Sequence, residues 1–318
     1  MPPEVTVCVP SHERPLRLRW LLNALEEQTL PAAAFEVVVV HDSGDDTERL
    51  IATHPLAVSG RLRHVRLERG TGTASRQRNV AWRVARTPLV AFTDDDCRPA
   101  PDWLERLVAR ARTAPGAFVQ GRTLPDPYES DALAVTPNVR TLHVEPPTPY
   151  VPTCNVLYPR ALLERVGGFL EAPDLASGED TDLALRCLED GATHVAAPDA
   201  LVYHAVVAAT LRGRVKAAGR WSDLAYIARR HPQMRRHLAL GVFWRRSHAE
   251  LLLALGGAAL APRHRAAAAL ALPYLAHLHR AGGGWRGVVR HGPGRAAVDL
   301  AEVVALARGS ARHRTVML

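Results

Sequence analysis

The chain has 318 residues, a net charge of +8 and 47% hydrophobic residues, a globular composition that excludes a largely disordered chain. Its cysteines, Cys8, Cys97, Cys154 and Cys187, lie far apart without a CxxC pair, which argues against a disulfide framework and against a zinc site. No basic segment followed by an apolar run stands near the N-terminus, so we expect a cytoplasmic protein without a secretory signal.

The charge is divided unevenly along the chain. Residues 1–204 hold 21 Arg and 28 acidic residues, a net charge of −7, whereas residues 205–318 hold 19 basic and 4 acidic residues, a net charge of +15. The two parts should therefore meet different partners. Anionic lipid headgroups and a phosphate-bearing substrate are candidates for the basic part. No recognisable nucleic-acid module accompanies it, so we expect no nucleic-acid partner.

Strand and helix patterns alternate in the first part of the chain. Predicted strands occupy 5–10, 35–42, 62–67 and 88–94, and predicted helices occupy 16–28 and 74–86. This alternation predicts an α/β fold with a doubly wound, mostly parallel sheet. Ligands bind outside the carboxyl ends of the strands of such sheets, and three of these strands end in polar residues.

Residues 120–160 are rich in proline and are predicted to be irregular. A loop of this length within a compact domain is often a lid or a substrate wall. A helix is predicted at 161–169, an acidic segment follows at 177–191, and a strand is predicted at 194–204.

Beyond about residue 205 the chain is predicted to be helical. The apolar stretches 251–261 and 266–278 are shorter than the roughly 20 residues that span a bilayer. Their basic flanks favour a helical hairpin that lies in a membrane interface. Packing against the rest of the chain or against a second subunit is the alternative.

Three carboxylates, Asp94, Asp95 and Asp96, directly follow the fourth predicted strand. Hard divalent cations prefer oxygen ligands, and Mg²⁺ or Mn²⁺ is commonly held by one or two carboxylates plus substrate phosphates. Asp94 and Asp96 would supply such a site. Alternatively, the three acids cap a helix that begins near Pro101–Asp102.

Six segments of the chain combine strand ends or helix starts with polar or acidic residues: VTVCVPSHERP, FEVVVVHDSGDD, GTASRQRN, FTDDDCRPAPDWL, CNVLYPRALLERVGGF and GEDTDLALR. In their order and spacing they resemble the family 2 glycosyltransferases, which move a sugar from a nucleotide diphosphate to an acceptor hydroxyl. Together they cover roughly residues 4–205. The resemblance implies a GT-A fold, a Rossmann-like doubly wound sheet, with the basic helical part as a C-terminal extension.

On the donor side, the resemblance implies that Asp42 accepts hydrogen bonds from the base, while His41 stands where the family usually has a first aspartate. Arg220 lies where relatives carry a basic segment over the diphosphate, and a guanidinium binds phosphate well. The alternative is an arginine on a solvated helix. The implied donor-binding residues are Pro10, Ser11, Glu13, Asp42, Arg78, Asn79, Asp94, Asp95 and Arg220.

The resemblance also implies that Asp94 and Asp96 form the metal-binding D-x-D pair, with Asp96 the better ligand. His204, at the end of the last predicted strand, would be a third ligand, although a lone histidine there also suits a structural role. Mg²⁺ or Mn²⁺ would be the cofactor.

Inverting transfer needs a base that takes the proton of the acceptor hydroxyl. The segment GED at 178–180 matches the family's Glu-Asp motif, so Asp180 would be the base and Glu179 would contact the acceptor or orient the loop. The same acids would also suit the N-terminus of a helix, where the dipole favours negative charge. Acceptor-side residues implied by the resemblance are Cys154, Asn155, Gly168 and Phe169.

We therefore expect a nucleotide-sugar-binding half at 1–120, an acceptor-binding and catalytic half at 121–210, and a basic helical region at 211–318 that contacts the inner face of the cell membrane. UDP is the family's commonest donor nucleotide, with GDP and dTDP as alternatives. The acceptor would carry a hydroxyl, lipid-linked acceptors included. Two rival functions are a non-catalytic sugar-binding scaffold and a nucleotidyltransferase, but PSHERP is not the glycine-rich basic loop that the latter usually carries.

Overall fold

A computed structural model describes residues 2–131, 138–171, 175 and 177–318. The chain divides into two compact units, the first made of 1–135, 139–174 and 179–207 and the second of 136–138, 175–178 and 208–318. Pro137, in the segment predicted to be irregular, lies outside the described residues. So do 172–174 and 176, which follow the predicted acceptor-side motif.

Within the described part of the first unit, eight strands form one sheet. They are β1 (Val5–Ser11), β2 (Phe35–His41), β3 (Leu62–Arg66), β4 (Leu89–Phe92), β5 (Cys97–Pro99), β6 (Phe118–Pro125), β8 (Val156–Pro159) and β9 (His194–His204). Their order in the sheet is β3-β2-β1-β4-β8-β6-β9-β5. Strand β1 is parallel to β2 and β4, β2 to β3, and β6 to β9, whereas β8 is antiparallel to β4 and β6, and β5 to β9. Short strands β7 (Val139–Arg140) and β10 (Val207–Ala208) stand outside it.

Helices cover both faces of this sheet, as the alternating pattern predicts. The described helices of the first unit are α1 (Pro15–Glu26), α2 (Thr47–Thr53), α3 (Pro55–Val58), α4 (Ala74–Val84), α5 (Trp103–Thr113), α6 (Arg160–Val166) and α7 (Glu179–Glu189), with 3₁₀ turns at Ala32–Ala34, Pro127–Glu129 and Thr153–Asn155. One face of the sheet packs against Leu22 of α1 and Trp103 of α5, and the other packs against Trp82 of α4 and Leu183 of α7. The doubly wound α/β arrangement is therefore confirmed.

The prediction of an irregular segment at 120–160 is wrong for two parts of it. Most of β6 and all of β8 lie there, and β8 fills the centre of the sheet between β4 and β6. Strand β8 has four residues and is nearly all buried, so it lacks the alternation that reveals a half-exposed strand. Prolines at the ends of both strands added to the irregular pattern.

The second unit is helical, as predicted. It contains α8 (Leu211–Ala217), α9 (Leu224–Arg230), α10 (Arg246–Leu260), α11 (Leu272–Gly282) and α12 (Trp285–His313), with 3₁₀ segments at Ala218–Asp223, Pro232–His237 and Arg265–Ala271. Over the described ranges, no helix combines the length and the apolar character that crossing a bilayer requires.

Buried polar side chains join three helices of this unit. His248 of α10 lies 3.1 Å from Glu302 of α12, whose carboxylate also pairs with Arg245 at 3.2 Å. The Tyr274 hydroxyl of α11 donates to Asp299 of α12 at 3.0 Å. Burial alone would raise the pKa of Glu302, but its bonds to His248 and Arg245 lower it, so this acid stays ionised inside the unit.

Candidate active site

The parallel strands β1, β2 and β4 bring three loops to one edge of the sheet. Ser11, the last residue of β1, lies opposite His41 at the end of β2, and β4 ends at Phe92, one residue before Thr93 and the three aspartates. Because the carboxyl ends of parallel strands share an edge, residues far apart in the chain meet here.

Asp95 ties the loop after β1 to the loop after β4. Its buried carboxylate accepts hydrogen bonds from the Ser11 hydroxyl at 2.9 Å, the His12 amide at 3.4 Å and the Arg14 guanidinium at 3.2 Å. Burial raises the pKa of Asp95 to about 6, against the lowering effect of Arg14. The contacts of this middle aspartate are thus with the protein itself.

An oxygen atom of Asp96 lies close to a ring nitrogen of His204. The His204 Nδ1 lies 2.9 Å from the carbonyl oxygen of Ala205, an acceptor, so Nδ1 carries the hydrogen. In the neutral ring, Nε2 then presents a lone pair 3.6 Å from the Asp96 Oδ1, beyond hydrogen-bond distance. A carboxylate oxygen and a bare imidazole nitrogen at this separation suit a cation such as Mg²⁺ or Mn²⁺.

Cys97 is the third member of this group, since ligand atoms of Asp96, Cys97 and His204 lie within 4.8 Å of one another. Its hydrogen bond with Cys154, together with burial, raises the pKa of the Cys97 thiol well above the usual value. Thiolates suit softer metals, so Asp96 and His204 offer the donors that fit Mg²⁺ or Mn²⁺ better. Asp94, predicted as a ligand, is not a member of this group among the described residues.

Arg78 links Asp94 to the start of helix α7. Its buried guanidinium donates to Asp94 at 2.7 Å and to Glu179 at 2.9 Å. Burial alone would lower the pKa of Arg78, but Asp94 and Glu179 raise it, so the guanidinium stays charged. Arg78 therefore brings the D-x-D segment and the Glu-Asp motif next to each other.

Asp180 stands next to Glu179 in the first turn of α7. Its Oδ1 accepts a hydrogen bond from the Thr181 amide at 2.7 Å. Burial, followed by repulsion from Glu179, raises the pKa of Asp180 to about 7. A carboxylate with that pKa is suited to take a proton at neutral pH.

Negative charge exceeds positive charge in this site. Among the described residues, the carboxylates are joined by two guanidinium groups, Arg14 on Asp95 and Asp96, and Arg78 on Asp94 and Glu179. Asp180 adds a further acid. A divalent cation would offset the excess, which agrees with the donor atoms of Asp96 and His204.

Asp42 is buried, and its carboxylate has four donors within the chain. Oδ1 contacts the His12 ring at 2.7 Å and the Gln77 amide at 3.1 Å, and Oδ2 accepts from the amides of Gly70 and Gly72. Burial would raise the pKa of Asp42, but these bonds lower it. The predicted contact of Asp42 with the base of a nucleotide stays a prediction. The His12 ring that contacts Asp42 is half-exposed.

Two other residues predicted on the donor side hold loops in place. Asn79 is fully buried, donates to the Phe169 carbonyl at 2.8 Å and accepts from the Phe169 amide at 2.9 Å. Glu13 has a φ of +48°, its amide donates to the Ser43 hydroxyl, and its side chain pairs with Arg69. Pro10 is buried within β1.

The predicted acceptor-side residues lie in the interior. Asn155 accepts from the Trp103 indole at 2.8 Å and donates to the carbonyl oxygens of Arg122 and Ala200. Cys154 and Phe169 are buried, and Gly168 has a φ of +73°. Their acceptor role stays a prediction, since their described contacts support the fold.

Arg220, predicted to clamp the diphosphate, belongs to the second unit. Its guanidinium lies 4.9 Å from the Trp221 ring centroid. The clamp stays a prediction.

Sequence reasoning missed Arg14 and His12 as residues of this site. Both stand in PSHERP, directly before the helix that begins at Pro15. Their position after a strand whose carboxyl end predicts ligand binding could have indicated them. Their carboxylate partners, however, lie far away in the chain: Asp95 is 81 residues from Arg14, and Asp42 is 30 residues from His12.

Residues 6–167 match the family described as Glycosyl transferase family 2. The chain is 29% identical over 214 residues to the pre-mycofactocin glycosyltransferase of Mycobacterium tuberculosis, covering 63% of this chain and 42% of that protein. It is 25% identical over 207 residues to glycosyltransferase AglE of Haloferax volcanii, covering 64% of this chain and 67% of that protein. The chain thus spans less than half the length of its mycobacterial relative.

Solved structures share the fold. The mannosyltransferase PcManGT from Pyrobaculum calidifontis, in complex with GDP-Man and Mn²⁺, matches with a TM-score of 0.58 and 23% identity, over 99% of this chain and 88% of that one. S. aureus TarS in complex with UDP-GlcNAc matches with a TM-score of 0.56 and 18% identity, over 98% of this chain and 92% of that one. The GT-A fold expected from the sequence is confirmed.

Proposed function

This chain belongs to glycosyl transferase family 2, and from that premise we propose that it is an inverting, metal-dependent glycosyltransferase. It moves a sugar from a nucleotide diphosphate to an acceptor hydroxyl. The observation that carries this proposal is the bridge made by Arg78, which joins Asp94 of the D-x-D segment to Glu179 beside Asp180.

Each residue has a part in the proposed reaction. Asp180 takes the proton of the attacking hydroxyl, and its raised pKa suits that task. Glu179 is held by Arg78 and orients the start of α7. Asp96 and His204 would hold Mg²⁺ or Mn²⁺, which would supply positive charge to stabilise the leaving diphosphate.

The donor and the acceptor are proposed by class. UDP is the first candidate nucleotide, with GDP and dTDP as alternatives, because similar structures contain UDP-GlcNAc and GDP-Man. The acceptor carries a hydroxyl, in the synthesis of a cell-envelope polysaccharide, a glycolipid or a glycosylated metabolite. The relative named for pre-mycofactocin supports a glycosylated metabolite as one class of product.

We also propose that the second unit keeps the protein near the inner face of the cell membrane. Residues 251–298 contain six arginines and no acidic residue. Leu272 and Trp285, at the starts of α11 and α12, are more than half exposed. Basic and apolar groups side by side are typical of helices that lie on anionic membranes.

Calorimetry tests the donor site first. We would titrate UDP, GDP and dTDP into the protein with and without Mn²⁺, beside Asp96→Ala and the control Asp102→Ala, a partly exposed aspartate paired with Arg106. One nucleotide should bind in a Mn²⁺-dependent manner, and the affinity should fall at least roughly tenfold in Asp96→Ala but not in the control. Absence of nucleotide binding in a folded sample would favour the scaffold function instead.

A further inference from the structure

Arg14 lies where it competes with a cation for Asp96. The same Nη1 atom donates to Asp96 Oδ2 at 2.9 Å and to Asp95 Oδ1 at 3.2 Å. Asp96 is the carboxylate whose Oδ1 lies 3.6 Å from the His204 Nε2. Two positive groups repel each other when they share one carboxylate, so the guanidinium on Asp96 disfavours a divalent cation there.

The backbone of Arg14 is fixed, but its side chain is not enclosed. The loop is tied down on both sides, because the Glu13 amide donates to the Ser43 hydroxyl at 2.8 Å and the Arg14 carbonyl accepts from Leu18 of α1 at 3.0 Å. The Arg14 side chain is 42% exposed. Its head group can therefore leave Asp96 without a change in the fold.

We propose that Arg14 is a positioning residue that makes cation binding depend on the nucleotide. The inference rests on the proposed function. In the nucleotide-free protein the guanidinium neutralises Asp96 and weakens the binding of Mg²⁺ or Mn²⁺. A diphosphate offers the guanidinium another anionic partner, which arginine binds well. Asp96 is then released for the cation, so that the two ligands bind cooperatively.

Asp95 explains why the guanidinium stays close by in both situations. Its buried carboxylate accepts hydrogen bonds from Ser11, the His12 amide and Arg14. We expect Arg14 to keep its contact with Asp95 when it leaves Asp96. This contact limits the movement to the tip of the side chain. The coupling therefore needs no loop closure.

Calorimetric titration of Mn²⁺, with and without saturating UDP or GDP, tests the coupling. Arg14→Gln should bind Mn²⁺ without nucleotide roughly tenfold more tightly than the unmodified protein, a difference of about 1.4 kcal/mol. The ratio between the Mn²⁺ affinities with and without nucleotide should shrink in this variant. Arg49→Gln, which removes an exposed charge paired with Asp46, is the control and should leave both values unchanged.

Thermal melts would first establish that the variants are folded. If Arg14→Gln does not fold, Arg14→Lys replaces it, because lysine keeps the charge but lacks the planar guanidinium, and a smaller gain in Mn²⁺ affinity is expected. Unchanged or weaker Mn²⁺ binding in the folded variant would overturn the inference and leave the proposed function intact. If the unmodified protein bound no Mn²⁺ with any nucleotide, the proposed function itself would fail.

Discussion

Asp180 shows how one side chain acquires its chemistry from its surroundings. An exposed aspartate has a pKa near 4, whereas burial and the neighbouring Glu179 raise the pKa of Asp180 to about 7. The pKa of Asp95 is also raised, but its carboxylate accepts hydrogen bonds from Ser11 and Arg14. The raised pKa of Asp180 thus fits the proposed proton transfer, whereas the described contacts of Asp95 are with the protein itself.

Asp180→Asn should lower turnover by at least roughly two orders of magnitude and leave nucleotide affinity unchanged, because a general base contributes about that much. Turnover is measured as the rate at which UDP or GDP is released from UDP-GlcNAc, UDP-glucose or GDP-mannose in the presence of a panel of hydroxyl-bearing acceptors. Asp190→Asn, just beyond the end of α7 and paired with Arg165, is the matched control. Equal turnover in the two variants would remove Asp180 from the mechanism.

The same substitution should stabilise the protein at high pH. Because the pKa of Asp180 is higher in the folded state than in the unfolded chain, stability falls as the pH rises from about 4 to about 7. Asparagine cannot ionise, so the melting temperature of Asp180→Asn should exceed that of the unmodified protein by roughly 3–6 °C at pH 8. Thermal melts at pH 4.5 and 8 measure this difference, which should nearly vanish at the lower pH.

At the scale of elements, the turn after α6 and the helix α4 form one packed unit. Asn79 of α4 holds both backbone groups of Phe169, and the Trp82 indole donates to the Asn79 side chain at 2.8 Å. Gly168 lies against both side chains: an added Cβ would stand 2.5 Å from Asn79 Oδ1 and 2.6 Å from Trp82 Nε1. A family motif that sequence reasoning assigned to the acceptor thus also positions a helix of the core.

Gly168→Ala should destabilise the protein by about 2–4 kcal/mol, because left-handed backbone strain adds to a collision with fixed side chains. Gly167→Ala is the matched control: it also has a positive φ, +81°, but an added Cβ would meet nothing within 4 Å. It should cost about 1 kcal/mol from strain alone. Urea unfolding measures both, and equal losses would show that packing against Asn79 contributes little.

At the scale of the whole molecule, the two units differ in net charge. The basic part from residue 205 onwards carries a net charge of +15, while 1–204 carry −7. Arg263 and Arg265 are exposed in the connection between α10 and α11. In the chain they stand between Leu260 and Leu272, which are also exposed. A charged, partly apolar surface of this kind predicts binding to anionic bilayers that weakens with salt.

The full chain should co-sediment with phosphatidylglycerol vesicles at 50 mM salt, less so at 500 mM, and not with phosphatidylcholine vesicles. Replacing Arg263 and Arg265 together by Glu should reduce binding at least roughly tenfold, given about 1 kcal/mol for each basic residue near the surface. Replacing Arg106 and Arg112 of α5 by Glu changes the net charge equally and is the control. Equal losses would show that net charge alone drives binding, and no sedimentation would refute the membrane proposal.

Much of the architecture was predictable because it depends on local patterns. Alternating strands and helices in the first part and helices beyond residue 205 agree with the structure. The short elements α2, α3 and β5 were not predicted. Strands β6 and β8 were missed because their place in the sheet depends on neighbours rather than on their own alternation. Such buried, short strands leave little signal in a single sequence.

By itself, the sequence determined the fold class, the family and the identity of the acidic residues at the strand ends, since these follow from periodicity and from short motifs. Only the tertiary structure decided which arginine binds each carboxylate: Arg14 contacts Asp95 and Asp96, and Arg78 contacts Asp94 and Glu179. Two of these partners, Arg78 and Glu179, are 101 residues apart. Such pairings depend on burial, strand order and loop geometry, which arise when the sheet assembles and which no local pattern of residues encodes.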